Sequence, residues 1–273
     1  MKLRITKLIS KLNWIFLFSN IILLSYSNSP NLSPYVIFQI VSWGICHNSC
    51  PLMKYHPNTS LLFAMKNTAN ISPISAETFS LGRSLENNYL IGIRVKENVS
   101  KKVIQSKQRR DRLFDNNDNV SPDMKPMVKL IGNIHGNEPV GRELLTHFAR
   151  YILSSAATPK GQRDSLAQRA ATILKTTDLW ILPSMNPDGF DRAKEGKCSG
   201  QGFSSGRNNE GFKDLNRDFP TWKDMGNLRQ GNKSHDIFKS RQKETKLMMR
   251  WILDNPFVLS ASFHDGAVVV GYP

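Results

Sequence analysis

The residues able to do chemistry gather in two stretches. The first is His135-Gly-Asn-Glu138-Pro-Val-Gly-Arg-Glu143. A histidine and a carboxylate three apart, where a strand gives way to a loop, can both reach one metal ion. Gly136 reads as the residue that lets this loop turn tightly. A His-x-x-Glu pair alone is common by chance, but His264 follows 129 residues later at the end of another predicted strand. Two ring nitrogens and one carboxylate oxygen leave zinc a fourth position for water, the arrangement of catalytic rather than structural sites. Taken by itself, His264 would read as a core or surface histidine.

The second stretch is a long Gly- and Asn-rich loop, from Pro183 to about Lys233. It carries Asn186-Pro-Asp-Gly189, Gly206-Arg207-Asn-Asn209 and Asp214-Leu-Asn216-Arg217-Asp-Phe-Pro220. Guanidinium groups capture planar carboxylates through paired hydrogen bonds. Two arginines beside an electrophilic metal site point to a substrate anion and a developing oxyanion. Composition alone also admits an ordinary turn-rich loop.

Both stretches need a frame. Tyr89-Leu-Ile-Gly-Ile-Arg-Val95 and Met127-Val-Lys-Leu-Ile-Gly-Asn-Ile134 read as strands. Helical spacing follows, with Leu144, Leu145, Phe148 and Ile152 on one face. Residues 163–175 suit a second helix and 178–182 a strand. Residues 241–253 suit a helix with Leu247, Met248, Trp251 and Ile252 inside, and 257–263 and 267–270 suit strands. Strands alternating with helices predict an α/β fold, a mixed and largely parallel sheet flanked by helices.

The chain has 273 residues, 40% hydrophobic and 22% charged, which argues against a disordered or fibrous protein. Its formal charge of +15 would suit an acidic partner. Much of the excess, however, sits in Lys2, Arg4, Lys7 and Lys11 and in the polar stretch 96–126, read as a surface loop. No basic stripe with interleaved aromatics occurs, so no nucleic-acid partner is expected. Residues 1–27, basic and then apolar, read as a secretory signal or a membrane anchor. Secretion or the secretory pathway is therefore the expected location, membrane association through this segment the alternative. Six Asn-x-Ser/Thr sequons, at Asn31, Asn58, Asn70, Asn98, Asn119 and Asn232, agree with secretion. Cys46, Cys50 and Cys198 make an odd number, so one thiol would remain if two pair. Residues 28–75 show no clear period and form a poorly defined segment, leaving 76–273 as the domain proper.

The motifs His135-Gly-Asn-Glu138 with Gly-Arg-Glu143, Pro183-Ser-Met-Asn-Pro-Asp-Gly189, Gly206-Arg-Asn-Asn209 and Asp214-Leu-Asn-Arg217 resemble the zinc metallocarboxypeptidases. Within them, the likeness is to the regulatory branch that includes carboxypeptidases D, E, M and N. Phe257-Val-Leu-Ser-Ala-Ser-Phe-His264 and the segment 185–198 most resemble a carboxypeptidase D domain. The resemblance covers roughly residues 70–273 and implies one zinc ion held by His135, Glu138 and His264. It implies Asn216 and Arg217 as the clamp for a peptide's C-terminal carboxylate and Arg207 as the oxyanion stabiliser. The implied partners are peptide or protein C-termini, with Lys or Arg released.

Three departures stand out. The family's general-base glutamate, its substrate-covering tyrosine and the acidic residue selecting Lys or Arg lie beyond the third ligand, and the chain ends nine residues after His264. Asp265-Gly266 stands where the family usually has Gly-Gly, and Asp265 is a poor substitute base because neighbouring strand residues face oppositely. No opening helix is recognisable before Phe79. The expectation is a domain incomplete at both ends, with a non-catalytic zinc- or peptide-binding module as the alternative to an enzyme. A zinc amidohydrolase acting on N-acylated amino acids shares the His-x-x-Glu…His layout, but the loop motifs favour the peptidase.

Overall fold

Five strands pair edge to edge: β1 (Ala76–Arg83), β2 (Tyr89–Val95), β3 (Met127–Gly132), β4 (Asp178–Leu182) and β5 (Phe257–Phe263). Their order is β1-β2-β4-β3-β5. β2 is antiparallel to β1 and β4, whereas β3 runs parallel to both β4 and β5. The sheet is mixed, as expected, and its parallel half carries the site. This computed structural model describes residues 55–98, 125–195, 205–221, 224, 236–266 and 270–271. Within them, Tyr55–Asp265 form one compact unit.

Leu90 to Val95 are all buried, as a strand covered on both faces must be. Alternation divides their side chains between two cores. On one face Ile91, Ile93, Leu179 and Ile181 pack against helices α1 (Asn58–Ala69), α2 (Val140–Ala157) and α3 (Ser165–Thr176). On the other, Leu90, Ile131 and Leu182 meet Met248 and Trp251 of a later helix, Lys243–Asp254. Between these helices lies α4 (Pro187–Arg192), so the later helix is α5. Asp164 caps α3 by accepting from the Ala167 amide at 2.7 Å.

Two expectations need correction. Residues 58–69 are helical although no opening helix is evident in the sequence. The helix has no side-chain cap and buries only Leu61, Met65 and Thr68, so its apolar period is faint and the tertiary contact decides it. On α5, Ile252 is exposed, and Met249 takes an inside place instead. Ile252 and Leu253, on the last turn of α5 before β5, are both exposed.

Other expectations fall outside the described residues: the signal or anchor at 1–27, all three cysteines, Asn31, Asn119, Asn232, most of the 96–126 loop, and residues 267–269 of the last predicted strand. No helix among the described residues is long and apolar enough to cross a membrane.

Candidate metal centre

Beyond Gly132 the chain turns through Asn133, whose φ of 55° is a left-handed conformation that asparagine tolerates. The Asn133 Nδ2 donates to the carbonyls of His135 (2.8 Å), Gly136 (3.0 Å) and Glu138 (3.2 Å), and its Oδ1 accepts from Ser184 Oγ at 2.9 Å. A buried asparagine thus folds the loop around itself. Gly136 serves differently from the expectation: its φ is not positive, and its value lies in close approach. A Cβ there would lie 2.1 Å from the Gly189 carbonyl carbon, and one on Gly206 would lie 2.4 Å from the Gly189 oxygen. Two loops and the helix α4 meet at these glycines with no room for a side chain.

The loop delivers His135 and Glu138 to the C-terminal end of β3, and β5 delivers His264 beside them. Glu138 joins the three, with Oε1 2.9 Å from His135 Nδ1 and Oε2 2.8 Å from His264 Nδ1. One donor atom from each residue lies within 4.8 Å of the others. Two imidazole nitrogens and a carboxylate gathered so closely are a donor set that zinc favours. The residues therefore fit the ion that the motifs imply.

A carboxylate with no assigned role in the sequence reading completes the arrangement. Asp214 Oδ1 lies 3.1 Å from His135 Nε2, which leaves Nδ1 as the nitrogen directed at Glu138. Outer carboxylates of this kind set a ligand histidine's tautomer and ring orientation. The signal was available, since Asp214 begins the Asp-Leu-Asn-Arg motif, but spacing alone does not say that it faces His135.

Arg207 bridges both acids. Its Nη1 is 3.3 Å from Glu138 Oε1, and Nε and Nη2 reach Asp214 Oδ2 at 3.2 and 3.0 Å. Burial pushes the Glu138 carboxyl up, but hydrogen bonds to His135 and His264 outweigh it and hold it well below the usual carboxylate range. Burial likewise raises Asp214, and the charges of His135 and Arg207 overcome it, for a net lowering. Both groups are thereby kept as anions, the form that holds or supports a cation.

Asn216 and Arg217 are the exposed residues of a 3₁₀ turn, Leu215–Arg217, anchored by the buried Leu215. The Asn216 amide donates to Asp214 Oδ1 at 2.9 Å, which ties this turn to the residue behind His135. Arg217 Nη1 donates to the Asn216 carbonyl at 3.1 Å, and among the described residues no hydrogen bond links the guanidinium to the metal-ligand candidates. Asp265 is committed elsewhere: its Oδ2 accepts from the Val140 amide at 2.9 Å, at the first residue of α2. That explains its tolerance in place of glycine, because α2 has no capping side chain of its own.

Comparison with known proteins agrees with this geometry. The zinc carboxypeptidase pattern matches residues 62–273. Carboxypeptidase D of Drosophila melanogaster is 35% identical over 201 residues, 74% of this chain and 12% of its own length. Carboxypeptidase Z of Rattus norvegicus is 36% identical over 231 residues, 80% of this chain and 31% of its own. The chain thus spans less than a third of either relative. In fold it is similar to carboxypeptidase A from Helicoverpa armigera, with a TM-score of 0.50, 19% identity, and coverage of 78% of this chain and 46% of the other. By its sequence pattern, and with a sheet and donor cluster consistent with it, the chain belongs to the zinc carboxypeptidase family.

Proposed function

We propose that this chain carries the metal- and anion-binding part of a zinc-dependent carboxypeptidase that releases C-terminal residues, Lys or Arg, from peptides. The observation that carries the reading is the joining of His135, Glu138 and His264 to Arg207 through one carboxylate. Bound by those three residues, zinc would supply a Lewis acid and an activated water. Asp214 holds the His135 ring in place for the ion. Arg207 offers N–H groups to an oxyanion forming beside Glu138. Asn216 and Arg217, exposed and tethered to Asp214, take the terminal carboxylate. A clamp at fixed distance from the metal confines attack to the last peptide bond. The Lys or Arg preference rests on the likeness of the motifs to the regulatory branch. For location we propose the secretory pathway, on the basic-then-apolar first 27 residues and the sequons.

The test incubates the zinc-loaded chain with peptides ending in Lys, Arg or Leu and with their C-terminal amides, following released amino acid by mass spectrometry. Release from the free-acid Lys and Arg peptides, none from amides and none after chelation, is the expected result. Release that survives chelation sinks the reading. A second reading is a module that binds zinc and peptide without turnover. It is favoured by Asp265, which neighbours the site yet spends its carboxylate on α2. Peptide binding with no release would select it.

A further inference from the structure

We propose that His56 is a positioning residue for the metal centre, bracing the first turn of the helix that follows the His135–Glu138 loop. The proposal rests on the metal-site reading above. The His56 amide donates to Glu143 Oε1 at 2.8 Å, its Nδ1 lies 2.5 Å from Glu143 Oε2, and its carbonyl accepts from Arg142 Nη2 at 2.8 Å. Arg142 and Glu143 sit in the first turn of α2, which begins just after Glu138. Two residues on, Asn58 Nδ2 donates to the Pro187 carbonyl at 2.9 Å and to Asp191 Oδ2 at 2.7 Å, both on α4. The α4 N-cap, Asn186, in turn donates from Nδ2 to the Arg207 carbonyl at 3.1 Å. Residues 56–58 therefore fasten the helix that follows the ligand loop to the helix that holds the arginine loop.

Arg142 shows why the fastening matters. It is completely buried, its guanidinium stacks 3.9 Å from the Phe190 ring of α4, and its Nε and Nη1 find no partner among the described residues. The His56 carbonyl is the acceptor that orients it, and the contact of the His56 ring with Glu143 holds that carbonyl in place. Burial pushes the guanidinium down to about 10, so the group stays charged at neutral pH and needs that acceptor. The glycine junction of Gly136 with Gly189 leaves no slack, so a shift of α4 against α2 is felt directly at His135 and Arg207.

The experiment titrates the full chain with Co²⁺ and reads the metal's visible absorption, for wild type, His56→Ala, His56→Asn and His56→Gln. Asparagine places an amide N–H where histidine has Nδ1, whereas glutamine places one where it has Nε2. The expected result is Co²⁺ affinity roughly tenfold weaker in His56→Ala and His56→Gln, the low end for loss of an outer support, with recovery in His56→Asn. Wild-type affinity in His56→Ala overturns the proposal alone. A wild-type chain that takes up no Co²⁺ overturns the metal-site reading and the proposal with it. Should His56→Ala fail to fold, the Asn and Gln variants decide, and equal affinities for those two overturn the proposal.

Discussion

The two candidate ligand histidines occupy opposite circumstances. His135 follows a strand flanked on both sides and has a side chain only 4% exposed, with a carboxylate at each ring nitrogen. His264 follows β5, which pairs on one side only among the described residues, its side chain is 36% exposed, and Glu138 is its hydrogen-bond partner among those residues. One arm of the site is therefore built before any ion arrives, and the other is held chiefly through Glu138. The lesson is that Glu138 is the hinge of the site: its carboxylate hydrogen-bonds the histidine of the preorganised arm and that of the loose one.

Glycine substitution is the bluntest way to test that asymmetry. Gly136→Ala would force a Cβ into the Gly189 backbone, and we expect a loss of about 3 kcal/mol or more in denaturant melts, at or beyond the upper range for overpacking. Gly266→Ala, on the other arm, meets nothing within 4 Å among the described residues and has its φ of 94° against it, so about 1 kcal/mol is expected. Equal losses would remove the comparison.

Asp214→Asn should weaken zinc binding about 10- to 100-fold, as loss of an outer carboxylate does, when measured by competition with a chelating dye. An unchanged affinity would mean that Asp214 contributes nothing to the rigid arm. Asp265→Ala removes the cap on α2 and should cost about 1 kcal/mol of stability, read by thermal unfolding. Loss of less than a few tenths would show that the edge arm is not moored to α2.

The smallest effect concerns Lys129, whose Nζ reaches Ser260 Oγ at 2.5 Å between β3 and β5. Burial pushes its amine pKa down, so the unfolded chain binds more protons in the alkaline window below about 10.4. Stability should consequently rise with pH across that window, and Lys129→Met should flatten the slope.

The sequence discloses this site unevenly. His135, Glu138 and His264 are legible because each follows a strongly apolar strand, and strand ends are where parallel sheets place chemistry. Arg207 is legible through its motif. Asp214 is not, because its pairing with His135 depends on how a long loop folds back. The helix Asn58–Ala69 escapes notice for a different reason: its buried face is three residues, too few for a period to stand out. Gly136 shows a third limit, since a glycine kept for contact looks the same in sequence as one kept for a turn. The strand order, with β3 between β4 and β5, follows from packing partners and leaves no local mark.

The β3–β5 ladder pairs Met127 with Phe257 but Val128 with Leu259, so Val258 is an extra residue in β5. From there the pairing runs regularly to Gly132 opposite Phe263. A one-residue slip would send alternate side chains to the other face and carry His264 away from Glu138. An ion that demands all three donors would be held only by the bulged pairing. Metal uptake would then act as a proofreader of strand alignment, binding chains whose edge strand has closed correctly and passing over those that have not.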